Sequence, residues 1–226
     1  MKILVFFAAI LTAISSFGQS IRLDGVYLAR QGDINMLLLA KNGYGSMITY
    51  KDDTYLSTKG GPFTFDGTSL HVTWEYDDEN SATVGTQASY TTKWDKGTLE
   101  IEGIAFKKQA AKAQQLDGVW RITGRQNAEG TMNNIPRGDR KTIKILVDGY
   151  FQWIAINPAN KGFYGTGGGT YSFVNGKYTE NIVFFSRDNS RVGATLNFEG
   201  AIKDGAWHHS GLSSKGDPIY EVWSVD

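Results

Sequence analysis

Leu23-Asp24-Gly25-Val26-Tyr27 returns further along the chain as Leu116-Asp117-Gly118-Val119-Trp120, each time opening a run with the alternation of a β-strand. Working outward from this pair, residues 61–103 can be laid without a gap on residues 169–211. A constant shift of 108 matches Phe65 with Phe173, Val84-Gly85 with Val192-Gly193, Gly97 with Gly205 and Gly103 with Gly211. Identity along the match is low, so it rests on glycine placement and on alternation. The shift grows from 93 at the opening motif to 108 later, which places about fifteen extra residues in the early loops of the second copy, mostly within 127–140. Residues 109–115, rich in Ala and Gln, read as a short polar linker able to form one helical turn. The expected organisation is a first domain over 20–108, the linker, and a second domain over 116–226.

Each copy reads as about eight short strands. In the second copy these are expected near 118–123, 141–147, 150–156, 170–174, 177–185, 193–201, 206–210 and 219–225. Asp148-Gly149, Asn175-Gly176 and Asp204-Gly205 supply the tight turns. Serial hairpins make an up-and-down meander, and eight strands can close on themselves so that no edge is exposed. The expected fold class is therefore all-β, two tandem antiparallel up-and-down β-barrels.

Ahead of the first copy, Lys2 followed by an apolar run from Ile3 to Ile14 and then Ser15, Ser16, Phe17 and Gly18 reads as a secretory signal peptide over 1–19. The run is too short to span a bilayer. A secreted or periplasmic location is expected. The sequence has no Cys, which excludes an acylated lipoprotein, disulfides, zinc–thiolate sites and a thiol nucleophile. Lys+Arg and Asp+Glu are equal at 23 each, so no basic bias suggests nucleic acid or an anionic membrane as partner.

Gly118-Val119-Trp120 resembles the Gly-x-Trp signature of the lipocalin and fatty-acid-binding barrels. Gly169-Thr170-Tyr171-Ser172-Phe173, Tyr178-Thr179-Glu180 and Tyr220-Glu221-Val222-Trp223 are similar to secreted bacterial lipocalin-like domains of unknown function. The resemblance covers nearly all of 116–226 and, more weakly, 23–108, where Tyr27 replaces the Trp. It implies a Trp that closes the barrel floor and a small molecule held inside the barrel.

Alternation predicts which side chains point inward. Leu70, Val72, Trp74 and Tyr76 are apolar while His71, Thr73 and Glu75 are polar, so the first set faces the interior. The shift of 108 then puts Tyr178, Glu180, Ile182 and Phe184 inside the second barrel, with Glu180 in the place of Val72. Leu99 and Ile101 likewise place Trp207 and His209 inside, and His208 outside with Glu100. Leu196 and Phe198 complete the expected wall. An unpaired buried carboxylate costs several kcal/mol, so Glu180 needs a partner, a raised pKa or water. Three readings stay open: Glu180 paired with His209 or an arginine as a plug in a filled barrel, a polar anchor for a ligand, or an acid–base pair of a hydrolase.

Other chemistry finds little support. His208 and His209 are neighbours on a strand and point to opposite faces, which disfavours one metal ion between them. Gly165 to Gly169 lacks the Lys and helix of a P-loop and reads as a flexible loop at the barrel mouth. The Asp52-Asp53 and Asp77-Asp78-Glu79 runs lack calcium-loop spacing. No Gly-x-Ser-x-Gly occurs. Glu180 and Glu221 could form a carboxylate pair, but the facing of Glu221 is not fixed by pattern.

The expectation is a non-enzymatic exported binding protein without cofactor or metal. Its second barrel would hold a small apolar or amphipathic molecule among Tyr178, Glu180, Phe184, Phe198, Trp207 and His209, and its first barrel would be structural. The alternative is an envelope interaction protein acting through long loops at 127–140 and 158–168.

Overall fold

The computed structural model describes residues 22–213 and 216–226, so the signal segment expected over 1–19 lies outside the described residues. The chain forms two closed eight-stranded antiparallel barrels in tandem. The first consists of β1 (Gly25–Gln31), β2 (Ile34–Lys41), β3 (Tyr44–Lys51), β4 (Thr54–Phe65), β5 (Ser69–Thr73) with its short continuation β6 (Tyr76–Asp77), β7 (Gln87–Asp95), β8 (Thr98–Ile101) and β9 (Ile104–Lys108). It closes through β1 and β9, where Tyr27 faces Lys108. The second consists of β10 (Gly118–Gln126), the short β11 (Met132–Asn134), β12 (Lys141–Val147), β13 (Tyr150–Asn157), β14 (Gly162–Val174), β15 (Lys177–Phe185), β16 (Thr195–Lys203), β17 (Ala206–Leu212) and β18 (Pro218–Val225). Pairing of β10 with β18 completes it.

The expected turns form as their residues dictate. Asp148-Gly149, Asn175-Gly176 and Asp204-Gly205 each hold φ near +50° and then near +80°, the handedness that matches the twist of a two-residue hairpin. Both opening motifs do the same work. The Tyr27 hydroxyl donates to the Leu23 carbonyl at 3.1 Å, and the Trp120 indole N–H donates to the Leu116 carbonyl at 2.8 Å. Each ring thereby ties the lead-in segment across one end of its barrel.

Among the described residues, the buried apolar side chains form three clusters. One lines the interior of the first barrel around Tyr27, Leu38, Val72, Leu99 and Phe106. A second lies in the interior of the second barrel around Trp120, Tyr178, Trp207 and Trp223. The third belongs to neither interior: it joins Val26, Leu37, Leu39, Tyr44, Ile48 and Tyr76 to Val119, Ile143, Ile145, Ile154, Ile156 and Phe184. These are outward-facing residues of both barrels, so the two barrel walls share one apolar seam. Polar contacts cross it as well, from Gln152 Nε2 to Thr58 Oγ1 at 3.1 Å and from Lys141 Nζ to Glu75 at 2.7 Å.

The seam corrects two expected assignments, Phe184 and Tyr76. Phe184 does not point into the second barrel. Glu180 and Ile182 face the interior, but Gly168 pairs with Phe184 and Gly169 with Ile182, leaving Val183 as an extra residue on β15. This β-bulge reverses the alternation, so Phe185 turns inward and Phe184 turns out to stack on Tyr50 of the first barrel, with ring centroids 6.0 Å apart. The first barrel repeats the device, with Glu75 as the extra residue between β5 and β6. Tyr76, also expected inside, faces the seam. In each copy a glycine seats the ring that turns out. A Cβ on Gly60 would lie 2.4 Å from the Tyr76 hydroxyl, and one on Gly168 2.5 Å from Phe184 Cζ.

Residues 165–169, expected as a flexible mouth loop, are the middle of β14, and the expected long loop over 158–168 is mostly strand. Rings explain Gly167, which lies under Trp153 and Phe185, and Gly168, which lies against Phe184, whereas Gly165 and Gly169 hold φ of +132° and +157°. The linker is irregular rather than helical, because Gln114 is tied into the second barrel by its side chain. Its amide accepts from Phe173 N at 2.7 Å and donates to the Tyr171 carbonyl at 3.2 Å.

Candidate functional site

The second barrel carries four polar side chains at one depth. Register places them: Lys144 on β12 lies opposite Trp120, Glu180 on β15 opposite Leu196, and His209 on β17 opposite Glu221 on β18. The same positions of the first barrel, read through the equivalent pairings, hold Leu38 opposite Tyr27, Val72 opposite Ala88, and Ile101 opposite Ile104. Four aliphatic groups in one barrel thus correspond to an ammonium, two carboxylates and an imidazole in the other.

These groups pair by proximity. Lys144 Nζ lies 2.8 Å from Glu180 Oε1, and the Tyr178 hydroxyl donates to the same oxygen at 2.8 Å. The ammonium sits 5.1 Å from the ring centroids of Tyr178, Trp207 and Trp223, a cation enclosed by aromatic faces. Glu221 receives Arg125 on one oxygen at 2.8 Å and the Trp223 indole N–H on the other at 3.2 Å. His209 Nδ1 approaches that second oxygen to 3.5 Å, an electrostatic contact rather than a good hydrogen bond. Neither ring nitrogen of His209 has a hydrogen-bond partner among the described residues.

Burial pushes His209 below its ordinary pKa, and the Lys144 charge adds to this, outweighing the opposing pull of Glu221 and Glu180. Its imidazole is neutral at pH 7. Burial pushes Glu221 upward, but contact with His209 and the charges of Lys144 and Arg125 win, and its carboxyl is held below the usual range. Burial and then Glu180 drive the Tyr178 hydroxyl far above its ordinary value, so it remains a donor. With His209 neutral, Lys144 and Arg125 balance Glu180 and Glu221.

A cavity of about 240 Å³ opens over this layer, lined by Lys144, Glu180, His209 and Glu221 together with Ile122, Arg125, Thr142, Trp153, Ile182, Phe185, Leu196, Phe198, Ser213, Ile219 and Trp223. Of the residues expected at the site, Glu180, His209 and Phe198 line the cavity. Tyr178 and Trp207 do not line it; their rings lie 4.9 Å apart and both pack against the Lys144 ammonium. Phe184 is outside. His208 lies on the outer face as expected, where its Nδ1 meets the Tyr220 hydroxyl at 2.9 Å.

Pattern reading did not find Lys144, which supplies the partner that had been expected of His209 or an arginine. Its strand, Lys141–Val147, is buried on both faces, inward against the barrel and outward against the seam. Its apolar residues therefore run on instead of alternating, and a lysine among them reveals no facing. Glu221 could have been placed by its register opposite His209, which sequence alone does not supply. Among the described residues, no group of three or more His, Cys, Asp or Glu forms a metal site.

Neither a protein-family model nor a curated protein matches the chain.

Proposed function

We propose that this chain is an exported, lipocalin-like binding protein whose second barrel holds a small amphipathic molecule with a neutral polar end. The polar end faces His209, and the apolar end lies against Ile182, Phe185, Leu196 and Ile219. The observation that carries this reading is a neutral, buried imidazole lining a cavity, with, among the described residues, no hydrogen bond to Nε2 and only the 3.5 Å contact to Glu221 at Nδ1. A buried polar group without a hydrogen bond costs about 1–3 kcal/mol, and a ligand hydroxyl, amide or carbonyl recovers that loss. The charges around it are already balanced in two pairs, so a charged ligand would add an uncompensated buried charge. Export rests on the N-terminal sequence.

The test uses mature protein purified from a secretory host, with native mass spectrometry and the ring ¹⁵N resonances of His209 as readouts. Short alcohols, amides and ketones are the probes. Wild type is expected to bind one or more of them with a shift of the His209 resonances, and His209→Ile, which installs the residue of the first barrel, to lose that binding. A probe panel that leaves the His209 resonances unmoved would overturn the reading.

A further inference from the structure

The first barrel also contains a cavity, of about 260 Å³, and its chemistry is different. At the depth where the second barrel places Lys144, Glu180, His209 and Glu221, this cavity is walled by Leu38, Val72, Ile101 and Ile104. A charged head carried to that depth would lose its water and meet no counter-ion. The mouth is polar. In a meander the hairpins alternate between the two ends, so the turn at Glu102, the segment holding Asp77 and Glu79, and the end of the barrel opposite Leu23 coincide. Those three carboxylates and Lys59, whose ammonium lies 5.1 Å over the Trp74 ring, line the cavity there. Three acids against one base repel an anionic head, while a hydroxyl finds both donors and acceptors. The volume exceeds the roughly 150 Å³ of a cavity that holds benzene and falls short of the roughly 300–1,000 Å³ of drug-sized pockets, which suits one short chain or ring.

We propose that the first barrel is a second, independent binding site, which takes an uncharged aliphatic molecule carrying at most a hydroxyl at one end. The protein then has two binding sites that differ in what meets the ligand at the depth of the polar layer, aliphatic walls in the first barrel and the imidazole of His209 in the second. The inference does not rest on the occupant of the second barrel, because the cavity residues named for the two sites do not overlap.

The test titrates the full mature chain carrying His209→Ile, which removes the imidazole proposed to hold an alcohol in the second barrel, with 1-octanol and, separately, with octanoate, by calorimetry. Octanol is expected to bind, octanoate to bind at least about tenfold more weakly, and Ile104→Phe or Val72→Phe, which fill the cavity, to weaken octanol at least about tenfold. Thermal unfolding establishes that each variant is folded. A brominated octanol gives a readout that needs neither variant: it is expected to quench emission that Trp74→Phe removes. Octanoate binding as tightly as octanol, octanol binding undiminished by a folded cavity-filling variant, or quenching unaffected by loss of Trp74 would each overturn the proposal.

Discussion

Lys144 Nζ and Glu180 Oε1 lie 2.8 Å apart, with both side chains only 5% exposed, inside a barrel whose twin carries Leu38 and Val72 at the same two positions. The fold therefore accommodates either an ion pair or a pair of aliphatic groups there.

That relationship gives the first prediction. Lys144→Leu or Glu180→Val alone strands a buried charge and is expected to destabilise the protein by about 3–5 kcal/mol. The double variant restores the composition of the first barrel and is expected to be near neutral or more stable than wild type. Urea unfolding of the four proteins gives the coupling energy, and single losses that simply add would show that the pair is not coupled.

Phe184 and Phe185 are neighbours with opposite destinations. Phe184→Ala removes a ring from the seam between barrels and is expected to cost about 3–5 kcal/mol in unfolding measurements without altering the second cavity. Phe185→Ala enlarges that cavity instead and is expected to change which probes shift the His209 resonances. If Phe184→Ala changed probe selectivity and Phe185→Ala did not, the bulge assignment would be wrong.

His209 makes stability depend on pH. Its folded pKa is held below the ordinary 6.5, so above that value it is neutral in both states and its contribution is complete. As pH falls through the ordinary value, the unfolded chain takes up a proton that the folded protein refuses, and stability declines. Glu221 acts in a lower window: its folded pKa lies below the ordinary 4.5, so its contribution is present above that value and is lost as pH falls through the folded one. Denaturant midpoints measured between pH 8 and pH 5 are expected to fall for wild type and to stay flatter for His209→Ile.

Much of the fold was legible because it is repeated and punctuated. The two Leu-Asp-Gly-Val motifs, the constant shift of 108 and the Asx-Gly turns place most strands of the second copy within a few residues of their observed bounds. Inward facing of Glu180, Trp207 and His209 was legible too, since those strands are exposed on one face and alternate cleanly. Phe184 was misplaced because a bulge inserts one residue without a distinctive signature, and everything beyond it changes face. Gly165 to Gly169 misled for a related reason: glycine-dense sequence normally means a loop, but here Gly167 and Gly168 make room for Trp153, Phe184 and Phe185 within a strand, and Gly165 and Gly169 supply its positive-φ positions.

What the sequence determined by itself is the two-copy, all-β organisation and the substitution of Glu180 and His209 for Val72 and Ile101, because strand periodicity and turn chemistry are local. Only the tertiary structure decided which groups meet: Lys144 with Glu180, Arg125 with Glu221, and the outer faces of both barrels along one apolar seam. Those contacts join residues tens of positions apart through sheet register and barrel closure, and a side chain buried between two walls loses the alternation that would have revealed its direction.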